Sequence, residues 1–147
     1  MLLTARQFFS SEQTEAIKQS IAQAELNTSG EIRVHIDNTC KGDVLDVAAD
    51  CFKKLEMHKT ELRNGVLFYL SIQDRKFAIL GDKGINEKVP ADFWDTIRDV
   101  MRAHFKQQEF TQGLTKGIGM AGEKLKLHFP YQSNDTNELS NDITFGD

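Results

Sequence analysis

Residues 29–38, SGEIRVHIDN, alternate apolar and polar side chains with a period of two, which predicts a half-buried β-strand. The apolar side chains on one face are Ile32, Val34 and Ile36. The ionisable side chains on the other face are Glu31, Arg33, His35 and Asp37. Such a row requires either an edge strand with one solvated face or a covering element under which the charges pair with each other. We interpret Arg33 and His35 as the surface of an edge strand.

The segments around this strand follow the order α-β-α-β-β-α-α. Helices are predicted over residues 11–26, after Asp43, after Pro90 and over residues 111–127, and further strands over residues 65–72 and 77–80. The helix between the first two strands makes them a parallel βαβ unit, and the short QDRK turn makes the next pair an antiparallel hairpin. The predicted fold is α/β: a three-layer α/β/α sandwich with a small mixed sheet. The apolar strand over residues 65–72 lies at its centre.

The chain has 147 residues, which suits one domain, predicted over residues 1–130. Residues 131–147 are polar and lack periodicity, so we expect a disordered tail that contributes nothing to folding. The formal net charge of −4 argues against binding to nucleic acid. No apolar run approaches the ~20 residues of a membrane span, and the apolar start is too short for a signal peptide. We therefore expect a cytoplasmic protein without a membrane role.

Polar residues and glycines collect at both ends of the predicted sheet. Where the first two strands begin and the third ends, these residues are Ser29, Gly30, Glu31, Arg63, Asn64, Gly81, Asp82 and Gly84. At the opposite edge they are Asp37, Asn38, Gln73 and Asp74. Carboxylate, amide and carbonyl oxygens are the ligands that Ca²⁺ and Mg²⁺ prefer. Ligands of open α/β sheets favour the carboxyl ends of parallel strands, which is the second edge, and spacing alone does not decide between the two.

Three longer stretches carry a resemblance to a known family: AELNTSGEIRVHI, RNGVLFYLSIQDRKFAILGDKGI and HFKQQEFTQGLTKGI. The chain resembles the TPM domain, named after a thylakoid-lumen protein, a photosystem-repair protein and a nematode receptor modulator, and in particular its compact bacterial branch. The resemblance implies an α/β/α sandwich, divalent-cation binding, and the acid-phosphatase activity reported for plant members. The branch's recurring words SGE, RNG and GD.G all meet at the first edge. They favour Glu31, Asn64 and Asp82 as ligands of Ca²⁺ or Mg²⁺.

The family's third strand usually ends in GYGLE, whereas this chain has GDKGI, so Asp82 is an added carboxylate. Binding of a divalent metal is the function that the sequence favours. A metal-dependent acid phosphatase is the first alternative, in which Arg63 would hold the phosphate; no Cys-x5-Arg loop is present, and no catalytic residue is assigned. The second alternative is a protein–protein adaptor that uses a flat helix face at Gly113 and Gly117.

Overall fold

The computed structural model describes residues 3–132 and 139–146. The described helices are α1 (Ala5–Phe8), α2 (Ser11–Glu25), α3 (Val44–Lys54), α4 (Lys83–Asn86), α5 (Asp95–Lys106) and α6 (Phe110–Leu125), with a 3₁₀ turn at Met57–Lys59. The strands are β1 (Glu31–Asp37), β2 (Gly65–Ser71), β3 (Lys76–Gly81) and β4 (Thr144–Phe145). None of the helices in these described ranges is both long and apolar enough to cross a membrane.

The strands form one mixed sheet in the order β3-β2-β1-β4. β1 runs parallel to β2, with Glu31 beside Gly65, and β2 runs antiparallel to β3. The βαβ unit, the hairpin and the central position of β2 are therefore confirmed. β2 is buried along its whole length because helices cover both of its faces.

Two apolar clusters separate the three layers. The larger one joins α2, α5 and α6 to the sheet face that carries Ile32, Val66 and Phe68. The smaller one joins α3 and the 3₁₀ turn to the opposite face, where Leu67 and Tyr69 lie. Side chains of neighbouring strands alternate together between these faces, so the polar row of β1 lies on the α3 side.

Local sequence explains where the helices begin. Ser10 accepts a hydrogen bond from the Gln13 N–H (3.1 Å), and Gln13 accepts one from the Ser10 N–H (2.9 Å), which completes the predicted capping box of α2. The Asp43 carboxylate caps α3 in a similar way. The helix predicted after Pro90 begins only at Asp95, because residues 91–94 form turns.

The interpretation of β1 as an edge strand with a solvated face is wrong. β4 pairs with β1 in parallel, with His35 beside Thr144, so β1 has a neighbour on each side. Glu31 is only 3% exposed and His35 only 9%. The row is a covered face instead, as in the other alternative: His35 pairs with Asp37, whereas Arg33 Nε is buried without a hydrogen-bond partner among the described residues.

The expected disordered tail also differs from the structure over residues 139–146. Ile143 is buried in the larger apolar cluster, and the Gly146 N–H donates to the Ile36 carbonyl (2.9 Å). The backbone of this segment extends the sheet, which a polar composition alone does not reveal. Residues 133–138 and 147 of the expected tail lie outside the described residues.

The flat helix face at Gly113 and Gly117 is covered by α5. A Cβ added at Gly113 would lie 2.5 Å from Phe105 Cε1, and one added at Gly117 would lie 2.5 Å from Met101 Sδ. Both glycines serve close packing between two helices of the same chain. The adaptor hypothesis therefore loses the surface on which it rested.

Candidate functional site

The register of the sheet brings two predicted metal ligands to the same edge. Glu31 pairs with Gly65, and the Asp82 N–H donates to the Gly65 carbonyl (2.9 Å), which continues the β2–β3 ladder by one residue. Glu31 and Asp82 therefore flank Gly65 on the α3 side of the sheet. The space above Gly65 is narrow, because an added Cβ would lie 3.1 Å from the Met57 carbonyl oxygen.

The Asp82 carboxylate is held on both of its oxygens. Arg63 Nε donates to Oδ2 (2.9 Å) and Nη2 to Oδ1 (3.0 Å), and the Lys83 N–H also donates to Oδ1 (2.7 Å). Arg63 has a left-handed backbone conformation (φ 51°), and its side chain is 44% exposed. A bidentate guanidinium is a strong partner for a carboxylate, and this one is partly solvated. A cation that binds Asp82 must therefore displace Arg63.

Asn64 presents a buried oxygen at this edge. Its side-chain Nδ2 donates to the Ser29 carbonyl (3.1 Å), and its backbone carbonyl accepts the Glu31 N–H (3.2 Å). Asn64 is only 1% exposed, and Oδ1 receives no hydrogen bond from the part of the chain that the structure describes. Burying an acceptor without a donor costs about 1–3 kcal/mol, so Oδ1 is available to a ligand with positive charge.

The Glu31 side chain contacts a residue that the sequence analysis missed. Glu25, the last residue of α2, accepts the Ile32 N–H at Oε2 (2.9 Å), and its side chain also hydrogen-bonds to Glu31. Burial is the main cause that raises the pKa of Glu25; the Ile32 N–H opposes it, the nearby Glu31 charge adds to it, and the net pKa is about 8. Only the position of Glu25, a few residues before β1, hinted at this contact.

The opposite edge holds its carboxylates in structural hydrogen bonds. Asp37 accepts hydrogen bonds from Tyr69 Oη (2.5 Å) and from the imidazole of His35 (2.8 Å), whose other nitrogen lies 2.7 Å from Thr144 Oγ1. Burial and the Asp37 carboxylate raise the pKa of Tyr69. This chain of contacts docks β4 on β1, so Asp37 has a structural role.

The remaining residues of that edge also bind the backbone. Burial raises the pKa of Asp74, but the hydrogen bonds that its carboxylate accepts from the Ser71 hydroxyl and from the Cys40 N–H (2.8 Å) contribute to a net lowering of the pKa. Asn38 Oδ1 accepts the Ala5 N–H (2.5 Å). Across residues 3–132 and 139–146, no group of three or more His, Cys, Asp or Glu side chains could hold a metal. A metal would need amide and carbonyl oxygens as well.

The family follows from the sequence match. The model of the TPM domain matches residues 3–124, which include β1 to β3, α1 to α5 and all of α6 except its last residue. The chain belongs to the TPM domain family. No curated protein matches it significantly.

Solved structures agree with the family. This TPM domain is similar to the NMR structure of the BA42 protein from the psychrophilic bacterium Bizionia argentinensis, with a TM-score of 0.90 and 49% identity over 95% of this chain and 96% of that one. An N-terminal domain from P. gingivalis has a TM-score of 0.68 at 18% identity (86% and 83% covered). An N-terminal domain of Corynebacterium glutamicum cg2496 has a TM-score of 0.64 at 12% identity (92% and 80% covered). The last two show the fold alone.

Proposed function

We propose that this TPM domain binds a divalent cation, Ca²⁺ or Mg²⁺, at the edge where β1 and β2 begin. The oxygens of Glu31, Asn64 and Asp82 are the proposed ligands. The observation that carries the proposal is Asn64 Oδ1, a buried acceptor without a donor among the described residues. Oxygen ligands of this kind suit hard cations. The carboxylates of the opposite edge are engaged in hydrogen bonds that hold the fold together.

The Arg63 guanidinium defines how such a cation would bind. Arg63 neutralises Asp82 in the metal-free protein, and a cation at Asp82 replaces this partner. The exchange costs an ion pair whose guanidinium is partly solvated, so it lowers the affinity without preventing binding. With only two proposed carboxylates, backbone carbonyls and water must complete the coordination shell. We therefore expect modest affinity and full reversal by a chelator.

The first experiment measures the melting temperature of the whole chain with Ca²⁺, with Mg²⁺ and with a chelator. A ligand that binds only the folded state stabilises it by about 2.7 kcal/mol at a hundredfold excess over its dissociation constant. Asp82→Asn should reduce the metal-induced shift, whereas the matched change Asp74→Asn at the opposite edge should leave it unchanged. Arg63→Gln should increase the shift, because the competing guanidinium is gone.

Two outcomes contradict this proposal. If the wild-type protein shows no shift with either metal, it has no such site. If Asp74→Asn or Asp37→Asn abolishes the shift while Asp82→Asn preserves it, the cation binds at the other edge. Each shift is measured within one variant, so a loss of stability from the substitution itself does not affect the comparison.

A second candidate function, metal-dependent phosphatase activity, is favoured by the position of Arg63. Its guanidinium is 44% exposed beside the proposed metal ligands, and guanidinium groups bind phosphate oxygens in a bidentate manner. Turnover of 4-nitrophenyl phosphate with Mg²⁺ or Ca²⁺ tests this candidate. Activity in the wild type that disappears in the double variant Glu31→Ala/Asp82→Ala would support it. If the protein binds the metal but does not turn over the substrate, the phosphatase candidate is rejected and metal binding remains as the proposed function.

A further inference from the structure

A concave site lies at the end of the sheet opposite to the proposed metal ligands, where β2 and β3 join. It is a cavity of about 320 Å³. Its floor is formed by Leu70 of β2 and Phe77 of β3, which pair across the hairpin. Gly65, beside the proposed metal ligands, is the first residue of β2, and Leu70 is near its end, so the two sites are separated by most of a strand. We name this cavity the hairpin pocket.

The walls of the hairpin pocket are aromatic. The rings of Phe77 and Phe105 meet edge to face with centroids 5.0 Å apart, and the rings of Phe105 and Phe110 stack with centroids 5.4 Å apart. All three rings are only partly buried, although they contact the larger apolar cluster. Partly exposed aromatic rings around a concavity offer apolar area that a planar ligand can cover.

The charged residues that line the rim of the hairpin pocket are positive. Among residues 3–132 and 139–146, they are Arg75, Arg102 and Lys106, and no acidic residue of these ranges lines the pocket. Arg102 pairs with Asp99 (3.2 Å) at the surface, and its guanidinium lies 5.8 Å from the Phe77 ring centroid. Neither Arg75 nor Lys106 has an ion-pair partner among residues 3–132 and 139–146.

The acidic side chains next to this rim have other partners. Asp74 accepts hydrogen bonds from Ser71 and from the Cys40 N–H, and Glu109 pairs with His104 (3.0 Å). Arg102 is therefore paired with Asp99, whereas Arg75 and Lys106 keep unpaired positive charges among the described residues, in a protein with a net charge of −4. A concentration of one sign of charge around an apolar cleft attracts ligands of the opposite sign.

We infer that the hairpin pocket binds a small planar aromatic anion, namely one ring or two fused rings carrying a carboxylate or sulfonate. The ring would pack against the phenylalanine side chains, and the anionic group would lie at the rim with Arg75 and Lys106. The volume of about 320 Å³ is at the lower end of ligand pockets, so it suits a molecule of this size and not a polymer. This inference is independent of the proposed metal site.

The test is a titration of the whole chain with 2-naphthoate, followed by the amide chemical shifts of the protein in the presence of a chelator. Saturable shifts should appear at Phe77, Phe105 and Phe110. Neutral 2-naphthalenemethanol lacks the charge and acetate lacks the ring, so each should bind at least about fivefold more weakly. Added salt should weaken the binding of naphthoate and leave that of the alcohol unchanged.

Substitutions on the exposed rim separate charge from shape. Arg75→Gln and Lys106→Gln should each weaken naphthoate binding roughly threefold, with little effect on folding because both side chains are exposed. Arg98→Gln, on α5 but outside the pocket, is the matched control and should leave the affinity unchanged. The inference is overturned if naphthoate shows no saturable binding, if the neutral alcohol binds equally well, or if the shifts occur elsewhere. It is also overturned if neither rim substitution changes the affinity.

Discussion

At the scale of single residues, the fold favours the neutral, protonated form of the Glu25 carboxyl group, although this group is ionised at neutral pH in the unfolded chain. Its side chain is partly buried at the end of α2 and contacts Glu31, while the Ile32 N–H supplies a hydrogen bond. Burial dominates, and the pKa of Glu25 rises from 4.5 to about 8. The folded protein therefore retains a proton that the unfolded chain releases over this interval. By linkage, this group lowers the stability of the fold as pH rises from 4.5 towards 8.

We predict that Glu25→Gln stabilises the protein at pH 8 and has little effect near pH 4.5. The glutamine keeps an acceptor for the Ile32 N–H and a donor for Glu31, and it carries no charge to desolvate. Because the side chain is partly exposed, we expect a gain of about 1–3 kcal/mol at pH 8, less than the full shift implies. Urea unfolding in the presence of a chelator measures it at both pH values. Glu12→Gln, at the exposed start of the same helix, is the control and should change the free energy of unfolding by no more than about 0.5 kcal/mol at pH 8.

At the scale of elements, glycines allow α6 to pack closely against its neighbours. A Cβ added at Gly122 would lie 2.8 Å from Ala24 Cβ and 3.0 Å from Ala24 Cα, so two helix backbones are nearly in contact. At Gly119, one turn away on the same helix, an added Cβ would have no atom of the described residues within 4 Å. Glycine in a helix interior costs up to about 1 kcal/mol relative to alanine. We infer that glycine occupies position 122 despite this cost because a larger side chain would push the backbone of α2 away and disturb the core.

We predict opposite effects for the same substitution at these two positions. Gly119→Ala should stabilise the protein by about 0.5–1 kcal/mol through helix propensity. Gly122→Ala should destabilise it by about 1–3 kcal/mol, because overpacking between α2 and α6 exceeds that gain. Chemical denaturation of both variants measures the two free energies of unfolding. A stabilising effect at Gly122 would mean that α2 moves away from α6 easily.

At the scale of the whole molecule, the sequence predicted the parts whose signals are local. Two local patterns, the period of two over residues 31–37 and the apolar run of β2, were enough to predict the parallel pair, the hairpin and the three layers. β4 escaped prediction because it is two residues long and depends on tertiary contacts, such as that of Thr144 with His35. For the same reason the sequence could not show that Asp37 is bound by Tyr69, since only the register brings them together.

The two proposed sites differ in how much of each could be predicted from the sequence. The recurring sequence motifs SGE, RNG and GD.G predicted the site at the edge where β1 and β2 begin. The residues of this edge lie directly at the ends of strands, where short motifs can be recognised. The hairpin pocket combines a turn residue, Arg75, with helix residues that include Phe105 and Lys106. No short stretch of sequence contains this combination. It arises only when α5 packs across the hairpin.

The C-terminal segment is held less firmly than the centre of the sheet. The C-terminal segment, residues 139–146, is joined to β1 by few backbone hydrogen bonds, including that of the Gly146 N–H to the Ile36 carbonyl (2.9 Å). β2 is instead bonded to a strand on each side and covered on both faces. Segments with less burial and fewer bonds open with a smaller free energy than the core. We predict that the Gly146 amide exchanges through local opening and the Phe68 amide only through global unfolding.

Native-state hydrogen exchange at increasing, low concentrations of denaturant measures both opening reactions. The free energy for Phe68 should equal the global free energy of unfolding and fall steeply with denaturant, because most of the surface becomes exposed. The free energy for Gly146 should be lower and should fall less steeply with denaturant, since release of the C-terminal segment from β1 exposes less surface than unfolding of the core. Equal free energies and slopes for the two amides would contradict the prediction. They would make the C-terminal segment part of the same cooperative unit as β2, so that its release from β1 requires the core to unfold.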